Sequence, residues 1–258
     1  MTLLVDKFFT QLNIPDSCRL DKRVFKKLFY ENGQLNVAEK TAFSDDIDEI
    51  IWRYTLKPET INIPRYNNSE REYHEIAIIQ ATLKNNKRLK RLAQVIQRTI
   101  PYPILLVFTL EDKVLLNIAD KRINKADQSK LVIDDLIYTD WLNLNELNDY
   151  QHTFIEHFEM KQFSYQDLYD CYQSISNAII NLNCAAITGN YPSETINTDI
   201  DRRACLAEIQ RIEQQQNELR TALKKESQFN RKMAMNVQIK QLDQHLLNEQ
   251  QKLQVSHP

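Results

Sequence analysis

The residues most suggestive of chemistry are six cations that follow one another without an intervening acid. They lie in the segment 76–110, which contains no Asp and no Glu. Positive side chains on one helix face can follow the phosphates of a nucleic acid and release condensed counterions. The same pattern also suits a solvated helix face or docking on an acidic patch of the same chain. The candidate nucleic-acid-binding residues are Lys84, Lys87, Arg88, Lys90, Arg91 and Arg98.

A second pattern concerns Mg²⁺-dependent cleavage of nucleic acid. Glu75 and Lys84 belong to one predicted strand, and restriction-fold nucleases hold a metal-bound water between a carboxylate and a lysine. Those sites place the acid two residues before the lysine, and Thr82 occupies that position here. A degenerate or unrecognised Mg-dependent nuclease is therefore the alternative, and not the leading hypothesis.

Two further constellations are weaker. His152 and Glu156 lie four residues apart on a predicted helix and could share a metal ion, but no third ligand is evident. The chain has only two glycines, Gly33 and Gly189, so it lacks the Gly-rich turns of P-loop and dinucleotide sites. The sequence therefore predicts no catalytic residue, no metal and no cofactor.

The composition is that of a globular chain in a reducing compartment. Of the 258 residues, 42% are hydrophobic and 26% are charged, and the formal net charge is -2. Four cysteines, Cys18, Cys171, Cys184 and Cys205, form no C-x-x-C pair, which favours free buried thiols. The first ten residues lack the features of a signal peptide, and no apolar run is long enough to cross a bilayer. We therefore expect a cytoplasmic protein that does not contact a membrane.

The elements that must position the cations begin with a segment, 1–57, that is predicted to be mainly helical. Residues 22–30 have apolar side chains at helical spacing, and Gly33 follows as a C-cap. A second helix is predicted from Ser44, because its hydroxyl can cap the helix and three aspartates follow it. The apolar face of that helix would consist of Ile47, Ile50, Ile51 and Tyr54.

A small mixed sheet is predicted for residues of about 71–142. Alternating or continuous apolar runs indicate its strands, and an amphipathic helix, 86–99, carries the cations between the first two. Because helices are predicted on both sides of this segment, the fold class is α+β with flanking helices. The predicted strands are 73–84, 104–110, 114–119 and 131–138.

The remainder of the chain is predicted to be helical. Helices at 146–160 and 164–184 complete an α+β core of residues 1–187, whose helical part is 144–187. A linker rich in small polar residues follows at 188–200. The last segment, 201–258, is a charged arm with neither glycine nor a proline before its final residue, and it is predicted to be a helical hairpin or a coiled coil.

The arm contains two apolar registers with 4-3-4-3 spacing, and their phase slips by two residues across 226–232. A tight turn between two antiparallel helices would explain the slip, and so would a stutter in one continuous helix. Both halves are amphipathic and need a partner surface, which could be another subunit or a second copy in a homodimer. The predicted interaction residues are Ile209, Ile212, Leu219, Leu223, Ile239, Leu242 and Leu246.

Several strings carry a family resemblance: KRVFKKLFYEN, DIDEIIWRYTLKPETINI, HEIAIIQATLKNNKRLKRLAQVIQRTIPYPILLVF and KKESQFNRKMAMNVQIKQL. With them the chain, from about 9 to 247, resembles the uncharacterised bacterial domain-of-unknown-function family numbered 4391. The resemblance implies association with DNA-processing assemblies, since the family's genes tend to lie beside helicases and DNA methyltransferases of restriction or phage-defence clusters. It implies no reaction and no catalytic residue.

Together these features predict a non-catalytic accessory or scaffold protein of a restriction or phage-defence assembly. Its protein partners would be subunits such as a helicase or a methyltransferase. The basic helix would provide contacts to DNA, and the arm would provide contacts to protein.

Overall fold

A computed structural model describes residues 3–124, 131–192 and 201–255 of the chain. The chain divides into two compact units, Met1–Ile179 and Ile180–Pro258. The division falls inside one long helix, Leu168–Thr188.

A seven-stranded mixed sheet organises the described part of the first unit, and a separate two-stranded ribbon accompanies it. In chain order the strands are β1 (Arg19–Arg23), β2 (Ile47–Leu56), β3 (Tyr66–Asn67), β4 (Glu72–Tyr73), β5 (Ile76–Leu83), β6 (Ile104–Leu110), β7 (Lys113–Ile123), β8 (Leu131–Tyr138) and β9 (Leu142–Asn143).

Helices occur before, between and after the strands, up to the end of the described chain. In chain order the α-helices are α1 (Leu3–Gln11), α2 (Lys26–Asn32), α3 (Val37–Asp46), α4 (Pro58–Ile61), α5 (Leu89–Thr99), α6 (Asp149–His157), α7 (Leu168–Thr188), α8 (Arg202–Lys225) and α9 (Phe229–Val255). The expected α+β class with flanking helices and a C-terminal helical pair is therefore confirmed.

The strand order in the sheet is β1-β2-β5-β6-β7-β8, and β9 pairs with β7 beside β8. Strands β5 and β6 are parallel, whereas the other neighbours are antiparallel. A parallel pair needs a crossover connection, and α5 provides it. Because β5 and β6 lie in the middle of the sheet, both of their faces are buried and their sequences are almost continuously apolar.

The main core lies between α5 and one face of the sheet. Leu92, Ala93 and Ile96 of α5 are fully buried, and they belong to one apolar cluster with Ile79 of β5 and Leu106 of β6. Side chains of α3 complete the same cluster. Helix α5 is therefore held by its apolar face, and its other face is left to solvent.

The helix predicted from Ser44 is wrong, because residues Ile47–Leu56 form strand β2. This strand pairs with β1 on one side and with β5 on the other. Two register shifts, at Ile47/Glu49 and at Trp52/Tyr54, interrupt the alternation of its side chains. The interruption produces apolar spacings of three and four residues, which imitate a helix, although Ile, Trp, Tyr and Thr favour strands.

The segment 22–30 is also only partly helical. Residues Arg19–Arg23 form the exposed edge strand β1, and helix α2 begins at Lys26. The expected cap at Gly33 is confirmed, since its N–H donates to the carbonyl of Phe29 over 2.8 Å. A Cβ at this position would lie 2.6 Å from that carbonyl oxygen, so the close approach requires glycine.

The later strands follow the prediction closely, and β6 and β8 have the predicted bounds. Helix α5 begins at Leu89, three residues later than expected. Helices α6 and α7 replace the predicted 146–160 and 164–184, and α7 extends to Thr188. Most of the predicted linker, 193–200, lies outside the described residues.

In the second unit, α8 and α9 form an antiparallel hairpin. Three residues, 226–228, join the helices, and Gln216 of α8 donates to Asp243 of α9 over 2.9 Å. The phase slip therefore marks a turn and not a stutter in one helix. In α9 the predicted inward residue Ile239 is buried, whereas Met233 and Val237, which continue the first register, are exposed.

Candidate nucleic-acid interface

Four of the six predicted cations form an exposed positive surface at the start of α5. All four side chains are exposed, and none of them forms an ion pair with a described residue. Two lie in the loop after β5, and two lie in the first turn of α5, so they occur within eight consecutive positions. We call this set the basic surface; it consists of Lys84, Lys87, Lys90 and Arg91.

Lys26 of α2 lies close to the basic surface. Burial lowers the pKa of Lys26, and the neighbouring charge of Lys84 lowers it further. The Lys26 ammonium donates to the carbonyls of Ile47, over 2.5 Å, and Ser44. Because its ammonium is bound to backbone carbonyls, Lys26 adds positive potential to this region but is not free to contact a phosphate.

The other two predicted cations are bound to acids of α3, although their side chains remain partly exposed. Arg88 donates to the buried carboxylate of Asp46 from Nε over 2.6 Å and from Nη2 over 2.7 Å, and it also reaches Asp45. Arg98 donates to Glu39 over 3.2 Å and to the carbonyl of Gly33 over 3.1 Å. These two side chains dock α5 on α3, and their charges are largely neutralised.

The pKa values of the two acids that accept hydrogen bonds from these arginines are lowered. The hydrogen bonds from Arg88 hold the pKa of Asp46 below its usual value against the effect of burial, and Asn85 adds another donor over 2.9 Å. For Glu39, burial acts to raise the pKa, but the bonds from Asn36 and Arg98 outweigh it and lower the pKa. Both carboxylates are therefore charged structural partners.

The arrangement of Glu75 and Lys84 differs from that of a metal site. The whole of β5 separates them, and eight strand residues span roughly 26 Å. Among the described residues, no group of three or more His, Cys, Asp or Glu side chains could hold a metal ion. His152 and Glu156 both lie on α6, without a third ligand in the described chain.

A buried polar network on the opposite face of the sheet was missed from the sequence. Arg53 of β2 donates to Gln80 of β5 over 2.8 Å and to Asp21 of β1 over 3.0 Å. The amide of Gln80 then donates to the hydroxyls of Thr82, over 3.2 Å, and Thr109, over 3.3 Å. In the sequence, only the single glutamine of an apolar strand, Gln80 of β5, indicates such a network. The network joins four neighbouring strands, so we interpret it as a structural clamp.

The predicted interaction residues of the arm all face the inside of the hairpin, to different depths. Ile209, Ile212 and Ile239 are buried, whereas the four leucines remain half-exposed. A groove of about 500 Å³ opens between α8 and α9 and is lined by Leu219, Leu242 and polar neighbours. The half-exposed leucines are Leu219, Leu223, Leu242 and Leu246.

Within the described part of the chain, no helix combines the length and the apolarity needed to cross a membrane. No curated protein and no solved structure matches the chain. A family model does match, over residues 12–246, and its description is "Domain of unknown function (DUF4391)". This match covers most of the chain and confirms the resemblance in the sequence strings. The chain therefore belongs to the DUF4391 family.

Proposed function

We propose that this protein is a non-catalytic accessory subunit of a DNA-processing assembly of the restriction or phage-defence type. In this proposal the basic surface contacts the nucleic-acid backbone, and the hairpin binds a helical segment of a partner protein. Candidate partners are helicase or methyltransferase subunits, and a second copy of the chain is the other choice.

The observation that carries the nucleic-acid part is the difference between the cations of one run. Arg88 and Arg98 are bound to acids of α3, whereas the four residues of the basic surface have no ion-pair partner among the described residues. A cation without an ion-pair partner can bind a phosphate without first breaking its bond to a carboxylate. The exposed face of a helix held by its apolar side is a rigid support for such contacts.

The protein part rests on the half-exposed interior of the hairpin. Two helices alone cannot enclose four leucines, and the groove beside Leu219 and Leu242 is open. A third helix would cover these side chains, as in three- and four-helix bundles. We also place the protein in the cytoplasm, because all four cysteines are free and buried.

The test of the nucleic-acid part is the charge-reversed variant Lys87→Glu/Lys90→Glu/Arg91→Glu. Duplex DNA binding by the wild type should fall with salt at a log–log slope of about -3 to -4, as expected for about four phosphate contacts. The variant should lose at least ~100-fold in affinity at ~100 mM salt, because each removed phosphate contact is replaced by repulsion. Fluorescence anisotropy with labelled DNA at several salt concentrations measures both quantities.

A control with the same change in charge is Lys224→Glu/Lys225→Glu/Lys232→Glu near the turn of the hairpin, where all three lysines are exposed. Its DNA affinity should stay within ~3-fold of the wild type. Equal losses in both variants would mean that only net charge matters, and unchanged binding by the α5 variant would refute the interface. Adding Mg²⁺ to the same mixtures tests the alternative nuclease, which would cleave the DNA.

A further inference from the structure

A cavity of about 230 Å³ lies beside α5 in the first unit, and α5, β7 and β8 contribute to its walls. The cavity is lined by both apolar and polar side chains, and no Asp or Glu is among its described lining residues. The apolar side chains are those of Ile100, Leu131, Ile133 and Leu136, and the polar side chains are those of Gln94, Gln97, Arg98 and Lys121.

Lys121 of β7 is a buried lysine without a carboxylate partner in the described chain. Its side chain is 3% exposed, and its amine donates to the carbonyls of Ile100 over 2.7 Å and Tyr102 over 2.5 Å. These two acceptors satisfy the two N–H groups of the neutral amine, and the third N–H group that the amine gains on protonation has no acceptor in the described chain. Burial holds the pKa of Lys121 well below its usual value, as expected for a cation that no carboxylate accompanies.

Gln97 of α5 has a hydrogen-bond acceptor without a donor. Its side chain is 1% exposed, and its amide nitrogen donates to Asn117 over 3.1 Å and to the carbonyl of Ile104 over 3.4 Å. Its Oε1 is buried and accepts no hydrogen bond from any described residue. An unmet buried acceptor costs roughly 1–3 kcal/mol, so native structures rarely keep one without a reason.

We propose that this cavity binds a small aliphatic carboxylate that carries a hydrogen-bond donor beside its acid group, such as a branched α-amino or α-hydroxy acid. The carboxylate accepts from the Lys121 ammonium, and Arg98 is a second cation among the lining residues. The neighbouring amino or hydroxyl group donates to Gln97 Oε1. The branched tail packs against the isoleucines and leucines of the lining.

The size and polarity of the cavity favour this class of ligand. Pockets for drug-sized molecules have volumes of ~300–1,000 Å³, so a cavity of about 230 Å³ suits a smaller molecule. A water molecule could meet the two polar deficits, but it would not balance the charge of protonated Lys121 and would leave the aliphatic side chains of the lining without packing. This proposal is independent of the nucleic-acid interface.

The test is isothermal titration calorimetry of the full chain with three probes of equal carbon skeleton. L-leucine has the acid group and the donor, 4-methylpentanoate has only the acid group, and leucinol has only the donors. We expect saturable binding of L-leucine with a Kd of ~1 mM or tighter, at least ~10-fold weaker binding of 4-methylpentanoate, and no saturation with leucinol.

Variants locate the site. Ile133→Phe fills the cavity from β8 and should abolish L-leucine binding, whereas Val132→Phe, whose side chain points to the other face of the strand, should not. Lys121→Met should weaken binding by at least ~10-fold. If Lys121→Met fails to fold because Ile100 and Tyr102 lose their donor, the pair of β8 variants still decides the question.

A second readout is the proton balance of binding. A carboxylate beside Lys121 raises its depressed pKa, so binding should take up protons at a pH between the pKa of Lys121 in the free chain and its pKa in the complex. Titrations from neutral to alkaline pH in buffers of different ionisation enthalpy would reveal this as a buffer-dependent heat. The proposal is overturned if neither L-leucine nor 4-methylpentanoate gives saturable heat, or if Ile133→Phe binds L-leucine like the wild type.

Discussion

At the residue scale, the basic run contains two populations that the sequence does not separate. Arg88 and Arg98 point to acids of α3, while the basic surface points to solvent. For Lys90, Arg91 and Arg98 the difference follows from the rotation of α5, since its apolar residues must face the core and this fixes the other positions. The other three cations precede the helix. A mutational study of this run should therefore treat the two sets separately.

Asp46 provides a test of the first set. Its carboxylate is 1% exposed and accepts two bonds from Arg88 and one from Asn85. Asp46→Asn should lower the free energy of unfolding by about 2 kcal/mol at pH 7, because bonds to a charged acceptor are worth ~1.5–3 kcal/mol. Urea denaturation measures the change. Asp48→Asn, at an exposed neighbour, should change stability by less than ~0.5 kcal/mol.

The stability that Asp46 contributes should depend on pH in a definite direction. The folded state holds the pKa of Asp46 below its usual value, so its stabilisation is fully present above the unfolded pKa of ~3.9. It is lost as the pH falls through the lower folded pKa. The difference between wild type and Asp46→Asn should therefore shrink at pH 3, and a difference that grows on acidification would contradict this account.

At the element scale, the hairpin shows how a phase slip becomes a turn. The inward residues of α8 and α9 follow the two registers that the sequence contains, and the residues of the continued first register are exposed. A continuous helix would turn its apolar stripe by about 200° across two residues, because each residue advances by about 100°. Folding the chain back allows both stripes to face each other.

Ile239 and Val237 test this register. Ile239 is 9% exposed and Val237 is 51% exposed, although both are β-branched residues of one helix. Ile239→Ala should destabilise the hairpin by about 2 kcal/mol or more, whereas Val237→Ala should be nearly neutral. Amide hydrogen exchange of α8 and α9 reports the local stability, and equal effects of both variants would argue for a different pairing of the helices.

Strand β2 shows the limit of periodicity at this scale. Two register shifts in a ten-residue strand give the apolar spacing of a helix. Intrinsic strand preference of Ile, Trp and Tyr was visible in the sequence, but the neighbours β1 and β5, which satisfy its backbone on both sides, are distant in the chain. Tertiary pairing decided the conformation.

At the scale of the whole molecule, the sheet and the hairpin belong to different compact units. The basic surface and the cavity both lie in the first unit, and the open groove lies in the second. Binding of nucleic acid and binding of a partner protein should therefore be separable by mutation.

Deletion of residues 201–258 tests this separation. We expect the sheet to stay folded, because its strands and α5 pack within Met1–Ile179. Hydrogen exchange should find the amides of β5 and β6 as protected as in the full chain, and DNA affinity should stay within ~3-fold. Capture of the protein partner should be lost, and loss of strand protection would show that the first unit depends on the arm.

Much of the fold could be predicted from local patterns. Strands β5, β6 and β8 and the two helices of the arm have apolar runs that indicate their conformation. Strands β1 and β2 could not be predicted, since β1 is polar and exposed and β2 carries bulges. Likewise, nothing in the sequence distinguishes Lys121 and Gln97. Their role is indicated only by the partners that are missing around them in the described structure.

Side-chain type and spacing along the chain show which segments are apolar enough to be buried, where the arm changes register and which cations occur without adjacent acids, because these properties are local. The strand conformation of β2, the neutralisation of Arg88 and Arg98, and the place of Lys121 at a cavity without a described carboxylate partner follow from the three-dimensional fold. Hydrogen bonds, ion pairs and burial join residues that are far apart in the chain, so local patterns do not reveal them.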